Sequence, residues 1–346
     1  MTKLGWGILS LAWLVSCCGS DASILDSSFA SDSLGDNEPV AQNAQALGTP
    51  IILVDGVSPE SIAVSGSAVF FINQIATGYQ VVKAATDSPT TSVIASYSKF
   101  TSSIVADASS VYWTVPYTIY DDKLNGGVWT RAVTGGTPRR IAEWYVRSTC
   151  VQALFATGDG ESNVFHAQFR SSIYRTFMAP ASAFGWITRP LIPASSSLRP
   201  RTLTVDASHV LFAEDDGDVF VVPRSGGAPL LLGTGSSASD TVAQTLVAST
   251  GTFAYFSSAT TIFKVPIGGG AATSFATVSE APAAMAIDGG FLYWACRGCG
   301  EVLRKPLTGF GVTRTVASGE SAPHSLAFDA SNIYFGTAVS LKRVAR

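Results

Sequence analysis

Leu203-Thr204-Val205-Asp206-Ala207-Ser208-His209-Val210-Leu211-Phe212 and Leu326-Ala327-Phe328-Asp329-Ala330-Ser331-Asn332-Ile333-Tyr334-Phe335 follow one plan. A short apolar strand runs into a tight polar turn, and an apolar–aromatic pair opens a second strand. The plan recurs through the chain. The residue after each apolar opener is Phe70, Tyr112, Phe165, Leu211, Tyr255, Tyr293 and Tyr334, at steps of 42, 53, 46, 44, 38 and 41 residues. A period of about 40–45 residues holding several short strands is the signature of propeller blades.

Each unit continues in the same grammar. A variable loop leads to a third strand such as Val219–Pro223, Ile262–Pro266 or Val302–Pro306. Its terminal Pro cannot donate to a ladder, so it belongs near a blade's edge. A Gly-rich turn follows, as in Gly226-Gly227 and Gly268-Gly269, and then a fourth strand such as Thr313–Ala317. The seventh unit stops after its third strand, Leu341–Val344, while Pro50–Val54 has the character of a fourth strand and no unit of its own. An open edge there would leave the ring unclosed. The expectation is therefore an all-β, seven-bladed β-propeller of four-stranded antiparallel blades over residues 50–346, closed by an N-terminal strand paired to Leu341–Val344.

Bulk numbers narrow the function. Of 25 acids, five (Asp21, Asp26, Asp32, Asp36 and Glu38) precede residue 49, where Lys3 is the one base among 22, leaving 20 acids against 21 bases beyond. A nearly neutral disc has no basic footprint for nucleic acid and steers no strongly charged partner from a distance. Residues 1–16 read as an export signal, with Lys3 ahead of an apolar stretch from Leu4 to Val15 too short to span a bilayer. Residues 17–49 are rich in Ser, Asp, Ala and Asn and lack periodicity, as expected of a flexible acidic tether.

Leu14-Val15-Ser16-Cys17 resembles the bacterial lipobox. The resemblance implies cleavage before Cys17 and its acylation, and with them attachment to the outer membrane or cell surface of a bacterium. A signal cut elsewhere without lipidation is the alternative. Val111-Tyr112-Trp113-Thr114 and Leu292-Tyr293-Trp294-Ala295, with Asp107 and Asp288 ahead and a base plus Gly in the third strand, resemble the YWTD repeats of LDL-receptor-type propellers. They are similar also to repeats of bacterial lipoprotein propellers. Val115 and Cys296 stand where that family carries an Asp after the triplet, so receptor-type ligand binding does not transfer. The Trp-Phe-Thr-Glu phrase and His-x-Glu pairs of metal-assisted propeller lyases do not occur either.

Several side-chain groups have a structural and a functional reading. Asp107, Asp206, Asp288 and Asp329 suit Asx turns, in which the carboxylate takes the amides two residues on, and Ser65 and Ser249 suit the same task. Cys296-Arg297-Gly298-Cys299 lies in a hairpin loop with no helix after it, which argues against a thioredoxin-like role. With three scattered histidines, a four-ligand metal centre is not expected, and a Cys296–Cys299 disulfide suits an exported protein. Cys150 reads as a buried strand neighbour. Glu214–Asp218 lacks the spacing of a calcium loop and reads as a solvated turn.

The functional signal is positional. In such a blade the loops joining strands two to three and four to one emerge on one face. There the sequence places Tyr117, Tyr120, Asp121, Asp122, Glu143, Trp144, Tyr145, Arg147, Asp215, Arg297 and His324. Aromatics beside acids and Arg compose recognition surfaces, whereas packing of Trp144 and Tyr145 between blades is the alternative. The expected function is a non-catalytic, monomeric cell-envelope lipoprotein that binds a protein, peptide or glycan, with no cofactor, catalytic residue or metal and with membrane contact through its lipid alone. The rival is a propeller lyase or hydrolase working at the mouth of the channel. If Trp144 belongs to a binding face, Trp144→Ala weakens partner capture and leaves the melting temperature within about 2 °C. A large loss of stability would identify a packing residue instead.

Overall fold

The computed structural model describes residues 48–98, 101, 103–115, 127–143, 153–156, 163–168, 172–178, 186–192, 200–235 and 245–346. They contain seven sheets of four antiparallel strands and no helix. Blade one is Pro59–Ser65, Ala68–Ile75, Gly78–Ala85 and Thr91–Tyr97; blade two is Ile104–Ala106, Ser110–Val115, Gly127–Ala132 and Gly135–Glu143. Blade three is Ala153–Ala156, Asn163–Gln168, Ser172–Met178 and Trp186–Pro190; blade four is Pro200–Val205, His209–Glu214, Asp218–Pro223 and Leu230–Thr234. Blade five is Val247–Ser249, Phe253–Ser258, Thr261–Pro266 and Thr273–Thr277; blade six is Ala284–Asp288, Phe291–Cys296, Glu301–Pro306 and Arg314–Ala317. Blade seven takes Ser325–Phe328, Asn332–Gly336 and Ser340–Ala345 from the end of the chain and Ile51–Asp55 from its beginning. First strands of successive blades pack side by side all round the ring, blade seven's against blade one's.

Closure follows the expected pairing, antiparallel and with one irregularity: Ile51 sits opposite Arg343, Ile52 opposite Lys342 and Val54 opposite Leu341. Leu53 and Val54 are buried in the core, while Ile51 and Ile52 remain exposed on the rim. The strand thus both satisfies an edge and fills a hydrophobic layer.

Stacking on both sides explains why the second strands lack polar alternation. Phe70, Tyr112, Phe165, Leu211, Tyr255, Tyr293 and Tyr334 are all buried, and so are their successors Phe71, Trp113, His166, Phe212, Phe256, Trp294 and Phe335. Odd and even positions point to opposite faces of a strand, and here each face meets a neighbouring blade.

The repeat also contains a tie between blades. Opposite the marker aromatic, the third strand carries a base: Lys83 faces Phe70, Lys264 faces Tyr255, Arg304 faces Tyr293 and Arg343 faces Tyr334. Lys83 Nζ donates to the Val133 carbonyl of blade two at 2.9 Å, and Lys264 Nζ to Leu307 of blade six at 3.4 Å. Arg343 Nη1 donates to Thr86 of blade one at 2.5 Å. The three accepting residues are equivalent, each following a third strand. Each sends its own N–H back to its blade's first turn, Thr86 to Ser67, Val133 to Ser109 and Leu307 to Gly290. The cation lies over aromatic rings on the way, Lys83 5.8 Å from the Phe70 centroid and Lys264 4.1 Å from that of Phe253. Hydroxyls add to the ring: Ser325 Oγ bonds Pro59 O at 2.7 Å, Thr202 Oγ1 bonds Thr245 O at 2.8 Å, and Ile104 N–H bonds Ser61 Oγ at 3.2 Å.

Three of the four aspartates cap their turns. Asp107 Oδ1 accepts from the amides of Ser109 and Ser110, Asp206 Oδ1 from Ser208 and His209, and Asp329 Oδ1 from Ser331 and Asn332. Asp288 does not. Gly289 and Gly290, at φ 53° and 83°, make a two-residue turn needing no side-chain cap, and Asp288 pairs with Arg346. In blade five the capping position falls one residue later than expected, on Thr250, whose Oγ1 takes the amides of Thr252 and Phe253. Ser249 Oγ accepts from Gly251 and donates across to Asp206 Oδ2 at 2.5 Å. Ser65 likewise serves the neighbour, donating to the Asp107 carbonyl at 2.6 Å.

Two measurements check this architecture. Leu53→Ala should cost about 2–5 kcal/mol of unfolding free energy, and deletion of residues 50–55 more than that, because an outer edge opens as well. An unchanged denaturation midpoint after the deletion would show that closure is dispensable. His166 is wholly buried where the six other blades carry Phe or Trp, and burial pushes its pKa down to about 3. The unfolded chain takes a proton near pH 6.5 that the folded imidazole refuses, so this contribution is full above about pH 6.5. It is lost as pH falls toward 3, at a limiting slope of about 1.4 kcal/mol per pH unit. His166→Phe should flatten that limb of a stability–pH profile.

Candidate functional site

Antiparallel order places the two-to-three and four-to-one connections of every blade on one face. Tyr117, Tyr120, Asp121, Asp122, Trp144, Tyr145 and Arg147 lie outside the described residues, as do Cys17 and Cys150. Glu143 closes the fourth strand of blade two. Asp215, Arg297 and His324 are described, and each sits in a connection on this face.

Asp215 forms an ion pair with Arg201 at the start of blade four. The adjacent Asp216 Oδ1 accepts the Asp218 amide at 3.2 Å, and Asp218 Oδ1 accepts Thr234 Oγ1 at 2.6 Å. Glu214–Asp218 is accordingly a turn braced by its own hydrogen bonds. Asp215 is occupied by a guanidinium rather than presented to a partner.

Arg297 of blade six and Glu60 of blade one both lie near enough to His324, in the connection into blade seven, to act on its charge. His324 is buried in the connection into blade seven, with Nδ1 donating to the Ala322 carbonyl at 2.8 Å. The other ring nitrogen, Nε2, is buried as well, and the Pro59 carbonyl lies near the ring. Burial is the main cause holding this imidazole's pKa below its usual range; Glu60 opposes the shift and Arg297 adds to it. Ala322 holds φ at 49°, a left-handed conformation costly for a residue with a Cβ. Such strain persists where the surroundings over-determine it, commonly at functional loops.

A second charged pair buttresses the loop. Glu320, buried in the same connection, receives Lys342 Nζ at 2.5 Å, and its amide bonds the Gly300 carbonyl at 2.9 Å. Gly300 has φ 67°, and a Cβ there would stand 2.7 Å from the Glu320 carbonyl, so a residue with a side chain would separate the two loops. Arg297 therefore projects from a hairpin held on both flanks. Cys296 and Cys299 bracket it as a disulfide with Cα atoms 5.4 Å apart. The Gly298 amide donates to Glu280 Oε1 from the preceding connection. Arg297 is exposed and has no ion-pair partner among the described residues.

Glu60, Glu280 and Lys342 did not stand out in the sequence. Glu280 could have been found by asking which four-to-one connection enters the blade that bears the cysteine pair. Glu60 needed the knowledge that blade seven abuts blade one.

No family model matches the chain, and no curated protein matches it in sequence. Solved structures do share its shape. Virginiamycin B lyase from Staphylococcus aureus superposes with a TM-score of 0.62 at 12% identity, over 86% of this chain and 98% of that one. YCF48 from Cyanidioschyzon merolae gives 0.58 at 11% identity, over 86% and 98%. BamB from Moraxella catarrhalis gives 0.51 at 12% identity, over 83% and 84%. At such identities the likeness speaks for the fold, and the chain is similar to β-propellers with unlike tasks.

Proposed function

We propose that the chain is an exported, lipid-anchored envelope protein that binds a partner on the face carrying Arg297 and catalyses nothing. The observation that carries this reading is Arg297 itself, a guanidinium exposed and unpaired among the described residues, on a loop whose backbone is held by its bracketing cysteines and by Gly300. A guanidinium fork on an anchored backbone favours a carboxylate, sulfate or phosphate group, which it can take with two parallel hydrogen bonds. Partners with such a group include an acidic protein or peptide segment and an anionic glycan. The lipidated Cys17, the signal of residues 1–16 and the tether of residues 17–49 belong to the same proposal and rest on sequence. The lyase or hydrolase reading has one observation in its favour, the gathering of His324, Glu60 and Arg297 from three blades. Against it, His324 Nε2 is sealed from solvent, so the imidazole meets no substrate in this conformation.

The test compares variants of the full chain as bait in envelope extract, with captured species quantified by mass spectrometry. Arg297→Ala should weaken capture of the main species at least about tenfold while leaving the melting temperature within about 2 °C. Phe310→Ser, on the opposite face and 86% exposed, should leave capture unchanged. Capture insensitive to Arg297→Ala, or abolished by Phe310→Ser, would sink the assignment of the binding face.

A further inference from the structure

Beside Arg297 the same hairpin carries a second possibility, independent of any partner. Glu280 Oε1 lies 3.3 Å from Cys296 Sγ, and one ligand atom each from Glu280, Cys296 and Cys299 fall within 4.8 Å of one another. Two sulfurs and one carboxylate oxygen on a thiophilic divalent ion, at about 2.3 Å and 2.1 Å and tetrahedral angles, stand about 3.6–3.8 Å apart. The observed S···O separation is close to that. The loop has the form of a ligand knuckle: Cys296 ends one strand, Glu301 opposite it opens the next, and Gly300 makes the reversal. Cys296 is buried, Glu280 half-buried and Cys299 exposed, so two donors are anchored and the third stands at the solvent boundary, the side from which a water would supply a fourth ligand.

We propose that Cys296, Cys299 and Glu280 form a redox-gated site for a thiophilic divalent cation such as zinc. The disulfide is the closed state. A dithiol opens it by exchange: the S–S bond takes up two electrons, the dithiol leaves as its own disulfide, and two protons pass to solvent as the thiolates bind the cation. Glu280 is the third ligand. Its anchoring by the Gly298 amide points Oε1 at the sulfurs before any ion arrives.

The probe is Co²⁺, whose thiolate complexes show a charge-transfer absorption, titrated into the full chain carrying Cys17→Ser, Cys18→Ser and Cys150→Ser. After reduction by a water-soluble phosphine, a thiol count of two should accompany one equivalent of Co²⁺ with the thiolate band, displaced by Zn²⁺. The unreduced chain should show neither. Glu280→Gln should weaken Co²⁺ at least about tenfold while the thiol count stays at two, which separates a ligand from a mere neighbour of the disulfide. Cys299→Ser should abolish the band in a chain whose melting curve confirms folding. The proposal is overturned if the reduced, folded chain with two free thiols binds no Co²⁺, if binding survives Cys299→Ser, or if Glu280→Gln binds as tightly as its parent.

Discussion

Seven sheets arranged in a ring are each sandwiched by two others, and that arrangement holds only while every interval is filled. The pairing of Ile51–Asp55 with Ser340–Ala345 fills the last one. Before it forms, blade seven has three strands, and Leu53 and Val54 are missing from its outer layer. The contact joins residues almost three hundred positions apart, and its loop-closure cost is met late, when the rest of the disc is in place to reward it. Ser325 Oγ on Pro59 O and Arg343 on Thr86 O span the same seam at other radii. The joint is therefore fastened from the channel outward.

The aromatic–base pairing of the repeat belongs to this mechanics rather than to a ligand. A marker aromatic supplies buried area, the opposed base lies along it, and its charged end reaches a carbonyl of the next blade that the sheet ladder leaves free. Lys83, Lys264 and Arg343 do this at equivalent positions. Blades two and four carry Thr130 and Val221 there instead, facing Tyr112 and Leu211. Thr130 Oγ1 turns back to its own blade, on Val111 O. A ring tolerates such omissions because each interface is also bound by hydrophobic contact.

Much of this was legible in the chain. The period and its aromatics fixed sheet count, strand order and closure, since each blade repeats one local solution. The one-residue slip in blade five arose because Ser249 and Thr250 both bear hydroxyls, and only the pairing of Ala248 with Tyr255 shows which one ends the strand. Asp288 resembled its counterparts in position but precedes Gly-Gly, which supplies the turn unaided. The gathering of Glu60, Arg297 and His324, and of Glu280 with the cysteines, depends on which loops the ring makes neighbours, and no local pattern encodes that. The aromatic connections of blades two and three, on which the sequence reading of the face leaned, lie outside the described residues.

Strand parity gives the disc an orientation. The closing strand ends at Asp55 on the face that carries Arg297 and His324, so it begins at Ile51 on the other face; Gly48 accordingly lies beside Ala345, at the far end of the third strand. The polypeptide enters at the rim of the back surface. Whatever precedes Gly48 therefore joins the disc on the side away from Arg297 and His324, and leaves their face unobstructed at the point of entry.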